Sequence, residues 1–384
     1  MEQVFEDKLM YLFQVGFVAG TLYSLVWRRY WILRLQVVVW AVGVSLIAWR
    51  FGTTAQLGFY SNDQILYARV VEILKGWNWG DGENSTLFWW LEYSKIPYPM
   101  AALPLALFGI HISLALKTVS LVFLLLLSNA LLDSYSSNRL IGQFGILYFT
   151  SCALIGGFFS LLALRDTMMM YFVYRFVTDR SVTVRLLSIV ILFLLRSHLA
   201  AALVVAEVAT TVWEWIAVRR RMGYFEVPVL TTLGVVLGSV SFYFVFGALQ
   251  SAGFGIKEFL EVASNFGGLQ FLNQHERFVK LSVSELLLAR LVFSDSIIIP
   301  IAFTGVCLLY GPILNHRHRF TLVAFSCYVG IATNTDFNSF RQNIPLMPLL
   351  GMVVLDIMQS RRHNETNQKP LYDTKVKAEL TASP

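Results

Sequence analysis

The chain has 384 residues, of which 56% are hydrophobic and only 14% are charged, whereas a soluble globular domain carries about 25% charged residues. This composition excludes an ordinary soluble domain and predicts an all-α bundle of transmembrane helices. The net charge is +6. Because the basic residues are dispersed between apolar runs, the charge favours membrane topology over nucleic-acid binding.

The apolar runs predict about 11 transmembrane helices. In chain order they cover residues 9–27, 31–49, 112–133, 141–157, 163–177, 185–195, 199–217, 227–249, 293–312, 320–333 and 346–359. Residues 97–110 are predicted to form a partial or interfacial helix, and 50–97 and 250–292 are two long loops. The simplest organisation is one transmembrane domain over 1–359, followed by a polar tail, 360–384, predicted to be disordered.

Arginines in the short connections predict the orientation of the bundle. When the segments alternate, one side collects Arg28, Arg29, Arg34, Arg139, Arg180, Arg219, Arg220, Arg221, Arg317, Arg319, Arg361 and Arg362. The positive-inside rule makes that side cytoplasmic. The N-terminus and the two long loops are then expected outside, and the C-terminal tail in the cytoplasm.

Arg165, Arg196 and Arg341 break this pattern, because they lie in short turns on the predicted outer side. A charge at the end of an apolar segment costs up to about 2.5–3.5 kcal/mol on insertion scales, so a bound anion is the default hypothesis. Snorkelling to the headgroups is the alternative. Asp166 and His198 are polar neighbours of the first two arginines. We expect a shared anion site, since arginine suits phosphate and carboxylate.

The first long loop carries Asp63 and Tyr67, which share one face of a predicted helix, and then Trp89 and Trp90. Aromatic rings beside carboxylates suit sugar binding. An interfacial aromatic belt is the alternative for the tryptophans, and a charge near a helix N-terminus is the alternative for Asp63.

Two further charged residues lie inside predicted spans. Lys117 either contacts a lipid phosphate or snorkels, and Glu207 is either a proton-relay group or hydrogen-bonded within the bundle.

No Gly-rich phosphate loop is present in the sequence, which argues against a nucleotide-driven pump. We expect no metal ion and no cofactor.

Several short features together carry a resemblance to a known family. They are the Asp63-x-x-x-Tyr67 helix, the apolar segment from Pro97 to Gly109, the stretch from Phe159 to Arg165-Asp166, Arg196-Ser197-His198, and Arg341 before the last span. This pattern resembles the bacterial polysaccharide polymerases of the Wzy and EpsG-like type over about residues 50–350. The family makes O-antigen, capsule or exopolysaccharide.

The resemblance implies a glycosyltransferase with GT-C-like membrane architecture in the bacterial inner membrane. Its substrate would be an undecaprenyl-diphosphate-linked glycan, and chain-length regulator and flippase proteins would be partners besides membrane lipid. In such a reaction Arg165, Arg196 and Arg341 could hold the leaving diphosphate. Asp63, Asp166 and His198 are candidates for the general base.

Three other functions are compatible with the same residues. The first is a GT-C glycosyltransferase that adds a single sugar from a polyprenyl-phosphate donor, and the second is a transporter of lipid-linked glycan. Transporters usually show paired repeats and polar residues through the whole membrane depth, a pattern that this sequence lacks. The third is a non-catalytic component of an export complex, against which the outer arginines weigh.

Overall fold

The computed structural model of the chain describes residues 2–51, 61–76, 96–135, 141–217, 226–251, 315–333 and 344–359. Every regular element within these ranges is helical. In chain order the helices are α1 (Glu2–Leu25), α2 (Trp31–Phe51), α3 (Ser61–Lys75), α4 (Pro97–Leu107), α5 (Ile112–Tyr135), α6 (Gly142–Phe149), a π-helix (Cys152–Gly156), α7 (Gly157–Leu161), α8 (Asp166–Thr178), α9 (Val182–Leu195), α10 (Ser197–Ala217), α11 (Glu226–Ser251), α12 (His316–Thr333), a 3-10 turn (Ile344–Leu346) and α13 (residues 347–359).

The predicted apolar segments within the described ranges all fall on helices, whereas the predicted segment 293–312 lies outside the described residues. The all-α prediction is therefore confirmed for these ranges. Within the described ranges, three helices are long and apolar enough to cross a membrane: Trp31–Arg50, Ile112–Tyr135 and Leu199–Ile216. A bent pair, α6 with the π-helix and α7, is a fourth candidate. The total of 11 stays a prediction, as do the two outer loops and the tail.

The segment 141–157, predicted as one span, is broken in the structure. Its two halves, Gly142–Phe149 and Cys152–Leu161, meet at an angle of 81°. At the break Ser151 adopts a left-handed conformation with φ 61°, which is costly for a residue other than glycine. Gly351 of α13 packs so closely on this break that a Cβ there would overlap the Phe149 carbonyl oxygen. Tertiary packing therefore positions the bend.

Helix α5 is the centre of one half of the bundle. Its residues from Ser113 to Leu121 are all buried, and it contacts α2, α3, α4 and α8. The short helix α4 starts with Pro97 in its first turn, and Gly109, at φ 86°, follows its end. This proline and glycine placement is typical of helix boundaries. The predicted partial helix over 97–110 is thus observed as a helix packed on α5.

The other half of the bundle consists of α9 to α12. Helices α11 and α12 approach closely because Gly234 and Gly238 face Ser326 and Cys327. Helix α10 lies against both α9 and α12. Helix α8 joins the two halves, since it contacts α5 on one side and α9 on the other.

Candidate functional site

The turn between α7 and α8 positions Arg165 and Asp166. Ala163 in this turn has φ 55°, an uncommon conformation for alanine. The Ser120 hydroxyl on α5 holds the turn by donating to the Leu164 carbonyl oxygen at 2.9 Å. Asp166 then begins α8, where the helix dipole favours a negative charge.

The break between α9 and α10 positions Arg196. Its backbone is extended, with φ −162° and ψ 91°, and its carbonyl oxygen accepts from the N–H groups of Leu199 and Ala200 in the first turn of α10. Arg165 Nη1 donates to the Leu195 carbonyl oxygen in this break. The two arginine-bearing turns, which are thirty residues apart in the chain, are therefore joined directly.

What we term the buried arginine cluster consists of Arg165, Asp166, Arg196 and Tyr328. The two arginines are 9% and 8% exposed and Asp166 is fully buried. Arg196 Nη2 lies 3.9 Å from Asp166 Oδ1, which is a long ion pair. Tyr328 on α12 is buried, hydrogen-bonds to Arg196 and lies near Arg165 and Asp166. The cluster holds two positive charges and one carboxylate among the described residues.

The charges of this cluster lie in the interior of a helix bundle, where burial of an ion is costly. A buried ion is stable only where opposite charge and hydrogen bonds replace its hydration. Here the nearly buried guanidinium groups of Arg165 and Arg196 lie in one cluster with Asp166, whose carboxylate is 3.9 Å from Arg196. In addition, Thr167 is buried and its hydroxyl has no hydrogen-bond partner in the described part of the chain. A bound anion with several acceptor oxygens could accept hydrogen bonds from the Thr167 hydroxyl and from the two guanidinium groups.

Two tyrosines connect the first long loop to this cluster. Tyr67 on α3 and Tyr98 on α4 are fully buried, and their rings meet edge to face with centroids 5.1 Å apart. The Tyr98 hydroxyl lies 2.6 Å from the Ser120 hydroxyl, which in turn holds the Leu164 carbonyl oxygen. Tyr98 also lies close enough to Asp166 to interact with its charge. Helix α3 is thereby anchored beside the cluster, and a role of Tyr67 in sugar binding stays a prediction.

The remaining predicted site residues are described only in part or not at all. The backbone of Asp63 lies in α3, one turn before Tyr67, and that of His198 lies in the first turn of α10. Their side chains, like Arg341, Trp89 and Trp90 as a whole, lie outside the described residues. The structure therefore brings Arg165, Asp166, Arg196 and Tyr67 together, and the other predicted members of the site stay predictions.

Three residues of this candidate site were not predicted from the sequence, namely Tyr328, Tyr98 and Ser120. Each lies within an apolar stretch, where a single hydroxyl is typical of ordinary core packing. A usable signal was helix position: Ser120 lies one turn after Lys117 on the same helix, and Tyr98 stands in the Pro97-Tyr98-Pro99 motif.

The sequence predicts that Glu207 is either a proton-relay group or hydrogen-bonded within the bundle, and the structure gives it ion-pair partners. Its Oε1 lies 2.6 Å from Arg185 Nη2, and its Oε2 lies 3.8 Å from His316 Nε2. The hydrogen-bonded alternative is thus confirmed. Glu207 belongs to a set of paired charges that also includes Glu214, Glu226 and Arg319, which we term the ion-pair cluster.

Comparison of the chain with protein-family models, with curated proteins and with solved structures found no match.

Proposed function

We propose that the chain is a membrane glycosyltransferase that joins polyprenyl-diphosphate-linked oligosaccharide repeat units into a surface polysaccharide. The buried arginine cluster is the proposed diphosphate site, on the non-cytoplasmic side of a bacterial inner membrane. The observation that carries the proposal is the pair of nearly buried arginines, brought together from two separate turns and joined through the Arg165 bond to the Leu195 carbonyl oxygen.

The chemistry of the proposed reaction explains this charge balance. The bond between the anomeric carbon of the donor glycan and its diphosphate oxygen breaks, and a hydroxyl oxygen of the acceptor unit forms the new glycosidic bond. The diphosphate leaves on its lipid with increased negative charge. Arg165 and Arg196 neutralise that charge with preorganised donors in a site that holds little water. Such stabilisation needs no movement of the protein during the reaction.

The acceptor hydroxyl loses a proton in the same step. Asp166, Asp63 and His198 are the candidates for the group that takes it. Asp166 also orients Arg196 through their ion pair, so its removal affects both functions. Asp166→Asn keeps the shape and removes the charge, and it therefore separates loss of a base from loss of packing.

The test is polymer synthesis in membranes supplied with lipid-linked repeat units. Arg165→Ala and Arg196→Ala are expected to abolish long glycan ladders while the protein remains in the membrane fraction. Arg→Lys at either position is expected to restore synthesis only partly, because lysine lacks the planar fork that donates two parallel hydrogen bonds. The matched control is Arg175→Ala, which removes a partly exposed arginine of α8 paired with Asp179 directly after that helix.

The product distinguishes the proposal from its alternatives. Normal-length polymer from both alanine variants would overturn the diphosphate site. A product extended by one sugar would indicate a single-sugar glycosyltransferase, and lipid-linked glycan that crosses the membrane without extension would indicate a transporter.

A further inference from the structure

Lys117 on α5 is a second buried cation, separate from the arginine cluster. Its side chain is 3% exposed, so snorkelling to the headgroups, one of the two expectations for this residue, is wrong. Its amine lies 3.5 Å from the Tyr11 hydroxyl on α1, at the outer limit of a hydrogen bond. No carboxylate lies within ion-pair distance of it in the part of the chain that the structure describes.

An ammonium group has three donors, and here the described residues offer it one weak acceptor and one aromatic ring. The amine lies 5.9 Å from the centroid of the Tyr11 ring, a cation–π contact that replaces part of the lost hydration. A buried lysine in a membrane segment is a functional-site hypothesis by default, because an unpaired charge there costs about 2.5–3.5 kcal/mol. A bound anion would offset that cost.

The wall around Lys117 consists of aromatic and amide side chains. The exposed His111 ring meets the Tyr11 ring edge to face at 5.2 Å. The Gln14 side chain holds the turn beside it, accepting from the His111 N–H at 2.9 Å and donating to the Gly109 carbonyl oxygen at 3.1 Å. His111 interacts with both Lys117 and Asp7. The amine therefore lies against the Tyr11 ring, and the His111 ring packed on Tyr11 is exposed.

The elements that form this wall carry one acidic residue near His111, Asp7, and several exposed apolar side chains. Met10, Phe13 and Phe108 are all strongly exposed on α1 and at the end of α4. A soluble anion gains nothing from such a surface, whereas an anion that carries a hydrocarbon chain would bury the chain against it. In lipids that anion is phosphate, which lysine binds as a point charge.

We infer that Lys117 is a second phosphate-binding subsite, which takes the phosphate of a lipid whose chain lies against the surface formed by Met10, Phe13 and Phe108. Lys117 precedes Ser120 by one turn of α5, and Ser120 holds the turn that carries Arg165. The subsite is thus adjacent to the arginine cluster but distinct from it. It rests on the charge and burial of Lys117, and it does not depend on the glycosyl transfer proposed above.

The experiment counts bound lipids by native mass spectrometry of the full chain, purified in a phosphate-free maltoside detergent. The probes are phosphatidylglycerol, undecaprenyl diphosphate and inorganic pyrophosphate. In the Lys117→Met variant we expect the affinity for at least one lipid probe to fall by about tenfold or more, the loss expected for one charge-assisted hydrogen bond. The lipid probe that is affected identifies the source of the phosphate, and pyrophosphate is expected to bind this subsite weakly.

Three further variants make the result specific. Lys75→Met removes an exposed lysine at the end of α3 and is expected to leave every affinity unchanged. Lys117→Arg keeps the charge and is expected to retain lipid binding. Arg196→Gln is expected to retain the lipid held by Lys117 while polymer synthesis is lost, so failure of the proposed function and failure of the subsite give different results.

Unchanged affinity of Lys117→Met for both lipid probes would overturn the inference. If that variant does not elute as a monodisperse protein, Lys117→Gln repeats the measurement with a polar side chain of similar length. Unchanged lipid binding in that variant would overturn the inference equally.

Discussion

The buried arginine cluster and the ion-pair cluster use the same residue type in opposite ways. In the ion-pair cluster Arg319 Nε lies 2.5 Å from Glu226, and Arg185 Nη2 lies 2.6 Å from Glu207. In the arginine cluster Arg196 Nη2 lies 3.9 Å from the Asp166 carboxylate, and Arg165 Nη1 donates to a backbone carbonyl oxygen. Closely paired arginines tie helices together, whereas the two arginines of the other cluster form the proposed site for an external anion.

The strongest test of this contrast is the loss of a single arginine from the arginine cluster. Arg196→Ala is expected to lower the rate of polymer synthesis by about 10²–10³-fold, the usual effect of removing one preorganised donor to a developing negative charge. Thermal stability is expected to fall less than in the Arg319→Ala variant, because the Arg196–Asp166 contact at 3.9 Å is longer than the Arg319–Glu226 contact at 2.5 Å. A rate within threefold of the unchanged protein would contradict the assignment.

Arg319→Ala is the matching variant in the ion-pair cluster, and its effect is expected on stability instead. It leaves Glu226, which is buried, without its closest cation, although the Trp213 indole N–H still donates to it at 2.8 Å. Removal of one partner from such a pair costs on the order of 3 kcal/mol. The measurement is thermal unfolding in detergent, with Arg319→Lys as the variant expected to recover part of the loss. If this variant lost activity without losing stability, the two clusters would not differ in the way described.

Ser120→Ala tests the same contrast without removing a charge, because it weakens the support of the turn that carries Arg165. It removes the hydroxyl that donates to the Leu164 carbonyl oxygen and that contacts Tyr98. We expect a stability loss of about 1–2 kcal/mol for these buried polar groups and a fall in polymer synthesis of about tenfold, because the Arg165 turn is no longer fixed. Ser120→Thr retains the hydroxyl and is expected to restore both. Full activity of the alanine variant would show that the turn is fixed by other contacts.

The smallest effect is expected from an arginine that belongs to neither cluster. Arg175 in the last turn of α8 forms an ion pair with Asp179, which directly follows the helix, and both side chains are partly exposed. Pairs of this kind contribute about 0.3–0.5 kcal/mol. Arg175→Ala should therefore leave thermal unfolding almost unchanged and polymer synthesis intact. A large loss in either measurement would mean that position along the chain, rather than burial and pairing, decides what an arginine does here.

The sequence predicted the helices and the convergence of two arginines, because both follow from strong local signals. Apolar runs near the length of a span have few structures open to them, and Arg165 and Arg196 are conspicuous at the ends of such runs. The alternating order of the helices then places both arginines at one end of the bundle. No structural detail beyond helix order was needed for that prediction.

Other features depended on contacts between distant residues and could not be predicted from local patterns. The break at Ser151 has no proline, and its partner Gly351 lies far along the chain. Tyr328 reaches Arg196 only because α12 packs against α10. Glu207 was ambiguous in the sequence because its partners, Arg185 and His316, belong to two other helices.

Helices α8 and α9, which connect Arg165 to Arg196, determine by their lengths where the second arginine lies relative to the first. Helix α8 has 13 residues and α9 has 14, so at a rise of about 1.5 Å per residue they have nearly equal lengths. The chain leaves the cluster at Asp166 and returns to it at Arg196 after one hairpin. One residue inserted into either helix would turn the following side chains by about 100°. Lipid-facing positions of this hairpin should therefore tolerate apolar substitution freely, whereas its length should tolerate almost no change.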